Sequence, residues 1–110
     1  MDADIAPLVD IAFEGRVIHW RGPSPFFFVR IPERHFGEVS HAARLASYGW
    51  GCVPVEARIG DVDFRSALFP KDEGYLLPLK TAVRKAANLA LGDDVQVEMR
   101  IYPKAAMLTG

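Results

Sequence analysis

Three basic side chains, Lys80, Arg84 and Lys85, lie between Pro78 and Ala87, where apolar residues recur at helical spacing. Residues one helical turn apart share a face, so Lys80 and Arg84 lie together with Lys85 beside them. Ammonium and guanidinium groups gathered in this way bind carboxylates, phosphates or a nucleic-acid backbone. A structural explanation is the simpler one, because cations near a helix C-terminus interact favourably with the helix dipole.

Two tryptophans, Trp20 and Trp50, are candidates for stacking on a flat ligand. The indole ring has a large apolar face, and aromatic side chains commonly line ligand pockets. The alternative is that each ring packs in the core or at the rim of a small barrel. Both therefore stay candidate stacking residues.

The residues that most often carry catalysis or bind metals form no recognisable arrangement. As a nucleophile, Cys52 would need a base nearby, and the sequence places none next to it. A small residue at the start of a strand explains Cys52 more simply. His19, His35 and His41 lack the spacing of metal ligands. The sequence thus predicts no metal, no cofactor and no enzymatic activity.

Length and composition fit one domain without a strong attraction to polyanions or membranes. The chain has 110 residues, 50% of them hydrophobic, and 13 basic and 14 acidic residues give a formal net charge of −1. We therefore expect a single domain over residues 1–110. One cysteine fits a reducing compartment, and no apolar run is long enough to cross a bilayer, so we expect a cytoplasmic protein. A monomer is the default expectation and a dimer the alternative.

Three pairs of segments echo one another in the same order along the chain. They are Val53–Ile59 with Val95–Ile101, Asp10–Phe13 with Asp61–Phe64, and Arg30–Pro32 with Leu76–Pro78. The first pair matches at five positions and alternates apolar with charged residues, which is typical of a half-buried strand. The echoes predict two related strand–strand–helix–strand halves, at about residues 10–60 and 61–102, with a tail at 103–110.

These halves predict a mainly β fold of about six strands and two short helices. The other predicted strands are Ile11–Trp20, Phe26–Ile31, Val62–Phe69 and Gly74–Leu77, with a polar turn at Pro70–Glu73 between the last two. The first helix follows Pro32 and should bury Phe36, Val39, Ala43 and Ala46. Because so many short strands do not suit a wound parallel sheet, we expect a closed or partly closed barrel with a pseudo-twofold axis.

The second helix is predicted from about Pro78 to Ala87. Its buried stripe should consist of Leu79, Ala82, Val83 and Ala86, with the basic residues on the other side. Asn88 should end the helix in the left-handed conformation, and Leu89 should pack back against the core. Gly92 and Asp93 then turn the chain into the last strand.

Four segments together resemble an uncharacterised bacterial family of unknown function. The segments are GWGCVPVEARIG at 49–60, SALFP at 66–70, GYLLPLKTAVRKA at 74–86, and GD at 92–93. The resemblance covers roughly Phe13 to Ile101. It implies a double-split β-barrel that one chain builds from two related halves, sometimes accompanied by a module assigned to bacteriocin protection. The family supplies no catalytic residues.

The corner from Leu77 to Asp93 is also similar to the swapped-hairpin motif of AbrB/MazE-like proteins. Those proteins are dimeric DNA-binding regulators and antitoxins. The resemblance matches Arg84 to the helix arginine and Lys80 to the residue after the proline pair, while Asn88 replaces a glycine. The first half carries Pro32, Glu33 and Arg34 in the equivalent place, so a twofold basic face would be half acidic.

We therefore expect a binding or interaction module without catalysis, with an anionic ligand or a protein as its partner. The alternative is an AbrB/MazE-like regulator or antitoxin that contacts nucleic acid through Lys80, Arg84 and Lys85.

Overall fold

The structure, a computed structural model, describes residues 6–21, 26–46 and 51–103 of the chain. The strands are β1 (Val9–Trp20), β2 (Phe26–Arg30), β3 (Val53–Ile59), β4 (Val62–Lys71), β5 (Gly74–Leu79) and β6 (Asp94–Ile101), and the helices are α1 (Phe36–Ala46) and α2 (Thr81–Ala86). A 3₁₀ turn at Glu33–His35 leads into α1. The described elements thus follow the order strand–strand–helix–strand twice.

The six strands form one closed antiparallel barrel in the order β1-β2-β5-β4-β3-β6. If β1, β2 and β3 exchange places with β4, β5 and β6, the same pairs of strands remain neighbours. A pseudo-twofold axis requires this. The predicted mainly β barrel with two short helices is confirmed. That the halves arose by duplication stays a prediction.

The pairing registers place equivalent residues of the two halves opposite each other. Arg30 lies opposite Leu76 in the β2–β5 pair, and Ala57 lies opposite Met99 in the β3–β6 pair. In both cases the partners are the positions that the sequence echoes had matched. A twofold axis that relates the two halves would therefore pass through the middle of each of these pairs.

The third echo is displaced by two residues. Asp10 lies opposite Arg100, and the equivalent arginine, Arg58, lies opposite Asp63. Asp63, rather than Asp61, is therefore the structural counterpart of Asp10. Both pairs are also ion pairs, with a nitrogen–oxygen distance of 3.0 Å between Arg58 and Asp63 and of 3.6 Å between Arg100 and Asp10.

The barrel closes because β1 and β4 each change partner along their length. In β1, Val9–Arg16 pair with β6 and the residues from Val17 onward pair with β2. Gly15 lies at this change, where a Cβ atom would overlap Cγ1 of Val29. A glycine lets the two strands approach closely at the bend.

Alternating residues of the strands fill the barrel interior, as the period of two predicts. The apolar positions of the first echo are all buried: Val53, Val55, Ala57, Ile59, Val95, Val97, Met99 and Ile101. Helix α1 buries the predicted positions Val39, Ala43 and Ala46, while Phe36 is half-buried. Neither helix in the described part of the chain has the length and apolar character that a membrane crossing requires.

Two predicted boundaries in the second half are wrong. The β4–β5 turn is shorter than Pro70–Glu73, because β4 continues to Lys71 and only two residues remain outside the strands. The second helix begins at Thr81 rather than Pro78, because Pro78 stays in β5 opposite Phe28. Proline lacks an N–H and suits either a first helical turn or an unbonded strand position.

The predicted buried stripe of the second helix is wrong for the same reason. Leu79 is buried, but as a strand residue, and Ala82 and Ala86 are exposed. A helix of six residues makes fewer than two turns and contributes only Val83 to the buried residues.

Candidate functional site

Helix α2 is placed by the strand before it. Leu79 is the last residue of β5 and lies opposite Phe27 of β2. Lys80 follows in an extended conformation and makes no side-chain cap, and its carbonyl oxygen accepts the N–H of Arg84 at 3.0 Å. The start of α2 is thereby fixed to the β2–β5 pair.

The end of α2 is closed as the sequence predicted. Asn88 has a φ of 55°, in the left-handed region. The N–H of Leu89 donates to the carbonyl of Arg84 at 2.9 Å, and the N–H of Asn88 donates to the carbonyl of Lys85 at 3.3 Å. These two bonds form a Schellman motif. Leu89 packs against the core, so the backbone carrying Arg84 and Lys85 is held at both ends of the helix.

Arg84 is half-buried and lies over an aromatic ring, so its predicted place on the outer face of the helix is wrong. Its guanidinium carbon is 3.8 Å from the centre of the Phe27 ring, and Nη2 donates to Thr81 Oγ1 at 3.2 Å. Nε is buried and has no hydrogen-bond partner among the described residues. A cation–π contact of this kind contributes about 0.5–2 kcal/mol and fixes the plane of the guanidinium.

His19 joins Arg84 at the same ring. The β1–β2 register places His19 opposite Phe27, and the two ring centres are 4.7 Å apart. From the sequence, His19 was a candidate only as one of three histidines that could bind a metal or act as a base for Cys52, and Phe27 was not a candidate. The signal available was the predicted turn between Trp20 and Phe26, because a hairpin there brings residues at equal distances from the turn together.

The charges of the three basic residues are not neutralised by any described carboxylate. Lys80 and Lys85 are exposed, and neither they nor Arg84 form an ion pair within residues 6–21, 26–46 and 51–103. By contrast, Arg58 and Arg100 on the barrel wall are each paired with an aspartate. The α2 end thus presents a local excess of positive charge.

The tryptophan candidates are not brought to this site. Successive strand residues point to opposite sides of the sheet, so Trp20 faces away from its neighbour His19. The Lys71 ammonium lies 4.2 Å from the centre of a Trp20 ring that is 36% exposed. Trp50 lies outside the described residues.

Cys52 and the histidines show no shared chemistry in the described part of the chain. Cys52 is a free, half-buried thiol just before β3. His35 Nδ1 lies 2.6 Å from Glu38 Oε1, and His41 is exposed. Within the described ranges, no three His, Cys, Asp or Glu side chains are grouped so that they could hold a metal ion.

Two surface grooves are formed by other parts of the barrel. One, of about 360 Å³, is lined by Glu56, Ala57, Asp63, Phe64, Arg65 and Arg100. The other, of about 460 Å³, is lined by Phe36, Gly37, Ser40, Pro70, Glu73, Gly74 and Tyr75. Neither of these two grooves includes the basic residues of α2, of which Lys80 and Lys85 are exposed and Arg84 is half-buried.

Fold and surface together define a small closed antiparallel barrel with one basic end. The sequence matches the family described as Domain of unknown function (DUF1905) over residues 13–99. Because the match covers most of the chain, the protein belongs to this family. No curated protein matches the sequence.

Proposed function

We propose that the protein is a non-catalytic binding module that holds an anionic group at the α2 end, defined as Lys80, Arg84 and Lys85. The observation that carries this proposal is the state of Arg84. Its guanidinium is stacked on Phe27, its Nε has no partner among the described residues, and it forms no ion pair with a described carboxylate.

The stacked guanidinium favours an anion with two or more oxygens. Arginine has five N–H donors in a planar fork. The one on Nε is buried, and of the four on Nη1 and Nη2 only one is used within the described residues, by Thr81. Because Phe27 already fixes the plane, little side-chain freedom is lost when carboxylate or phosphate oxygens bind. Each hydrogen bond between charged partners contributes about 1.5–3 kcal/mol, and the exposed ammonium groups of Lys80 and Lys85 add charge.

A direct test is calorimetric titration with pyrophosphate at low ionic strength. We expect saturable binding that weakens about tenfold or more in Arg84→Gln, equivalent to about 1.4 kcal/mol. Arg34→Gln is a matched control, because Arg34 is exposed and lies in the turn before α1, the equivalent place in the other half. Pyrophosphate binding that is absent, or equally weakened by both substitutions, would overturn the proposal.

Nucleic acid is the competing ligand, suggested by the likeness of the α2 corner to AbrB/MazE-like proteins. Three cations contacting phosphates would give a salt dependence of log K with a slope of at most about −3. A DNA duplex added to the same titration separates the two ideas. If the protein is an anion-binding module, it binds pyrophosphate, and its affinity for the duplex is no higher than that of Arg84→Gln. If it is a nucleic-acid-binding regulator, it binds the duplex tightly and this affinity falls steeply with salt.

A further inference from the structure

The larger groove lies between the start of α1 and the β4–β5 turn, away from the α2 end. Two aromatic rings, Phe36 and Tyr75, form part of its lining, and Ser40 and Glu73 supply side-chain oxygens. Ligand sites combine apolar and aromatic walls with a few polar groups in this way.

The turn that carries Glu73 is strained. Asp72 has a φ of 52° and Glu73 a φ of 63°, both in the left-handed region. Two-residue hairpin turns with two positive φ angles usually contain asparagine or aspartate followed by glycine. Glutamate at the second position has no local conformational advantage, because its Cβ atom is disfavoured there. Strain of this kind persists only where the surroundings impose it, and it recurs at functional sites.

Arg30 imposes the strained conformation. Its guanidinium donates from Nη1 to the carbonyl of Lys71 at 3.3 Å and from Nη2 to the carbonyl of Asp72 at 3.0 Å. The Phe36 ring centre is 5.6 Å from the guanidinium carbon, and Gly74 leaves room for both side chains because it has no Cβ. The hydrogen bonds from Arg30 thus fix the backbone of the turn, and the turn places Glu73 at the groove.

The Arg30 guanidinium lies 5.6 Å from the ring centre of Phe36, and within the groove lining the charge is that of Glu73. This carboxylate forms no ion pair with the described basic groups. The guanidinium of Arg30 is directed to the turn carbonyls and is not part of the groove lining. A carboxylate beside aromatic faces is the combination that recognises an organic cation, through charge and cation–π attraction together.

We propose that this groove binds an organic ammonium group, with Glu73 as its counter-ion and the rings of Phe36 and Tyr75 against its carbon substituents. The site is separate from the anion-binding surface at α2 and rests on different residues. One face of this small barrel would then take a cation and the other an anion.

Amide NMR titration with benzyltrimethylammonium chloride tests the proposal, with benzyl alcohol as a neutral probe and benzoate as an anionic one. We expect saturable shifts at the amides of Gly37, Ser40 and Gly74 with the ammonium probe. In Glu73→Gln its affinity should fall about tenfold or more. Glu73→Lys should abolish this binding and favour benzoate instead.

Two controls keep the outcome interpretable. Asp72→Asn removes an equal charge from the neighbouring turn position, outside the groove lining, and should leave the affinity for the ammonium probe within about twofold. Arg84→Gln should also leave it unchanged, which separates this site from the α2 end. The proposal is overturned if the three probes shift the same amides equally, if no shift saturates, or if Glu73→Gln binds as the unaltered protein does.

Discussion

The bend in β1 depends on Gly15, and Gly15→Ala tests how tightly the barrel is closed. The new Cβ would overlap Cγ1 of Val29, a fully buried side chain. A valine in a strand has few rotamers and cannot turn its methyl groups away at low cost. Overpacking of a closed core costs about 1–3 kcal/mol. Alanine recovers about 0.5–1 kcal/mol of backbone entropy, so we expect a net destabilisation of about 1 kcal/mol.

Urea unfolding followed by tryptophan fluorescence measures this change, and in a thermal melt the midpoint should fall by roughly 4–8 °C. Gly37→Ala is the control, because no described atom lies within 4 Å of the added Cβ and the position is in α1. The same substitution there should stabilise the protein by about 0.5–1 kcal/mol.

A double variant identifies the overlap as the cause. Val29→Ala removes the methyl group that the new Cβ at position 15 would meet, at a cost of about 2 kcal/mol for the lost burial and cavity. Combining it with Gly15→Ala should cost nothing further and should recover about 0.5–1 kcal/mol of backbone entropy, because the overlap has gone. Additive effects of the two substitutions, or a Gly15→Ala protein as stable as the unaltered one, would refute the reasoning.

Three further changes have expected outcomes. Glu73→Gly should raise the free energy of unfolding by about 1 kcal/mol, because it relieves the strain of the left-handed conformation. A lower melting temperature than that of the unaltered protein would contradict this. Asn88→Ala should cost about 1 kcal/mol in the same assay while Asn88→Gly is close to neutral, because the C′ position is left-handed; equal effects would exclude the Schellman argument. Phe27→Leu keeps the charge of Arg84 but removes the ring beneath it, so calorimetry should show pyrophosphate affinity reduced several-fold; unaltered affinity would show that stacking is irrelevant.

Features set by local pattern were predictable from the sequence, and features set by pairing were not. The alternation in Val53–Ile59 indicated which residues face the core, and the left-handed preference of Asn88 indicated the end of α2. The start of α2 depended instead on whether Pro78 stays paired with Phe28, a residue distant in sequence. Local pattern carries no information on such a contact.

The candidate site divides in the same way. Lys80, Arg84 and Lys85 were recognisable because basic residues at helical spacing are a local signal. That Arg84 lies over Phe27, with His19 at the same ring, follows from the β1–β2 and β2–β5 pairings. The groove beside Glu73 was missed because Asp72-Glu73 reads as an ordinary solvated turn, and only the contact with Arg30 gives it another meaning.

Contacts that repeat about the pseudo-twofold axis belong to the framework of the barrel, whereas the proposed binding residues do not repeat. Arg58 with Asp63 and Arg100 with Asp10 repeat across the axis, and both pairs lie on the barrel wall, where a partly exposed ion pair contributes at most about 1 kcal/mol. Each pair joins a residue of one half to a residue of the other, so the repeated contact serves the wall that the two halves build together. The basic side chains of the α2 end show no such repeat, because the described turn before α1 combines Glu33 with Arg34. Selection for folding alone would not require the two ends to differ in charge, so the difference between them is where a binding role is best sought.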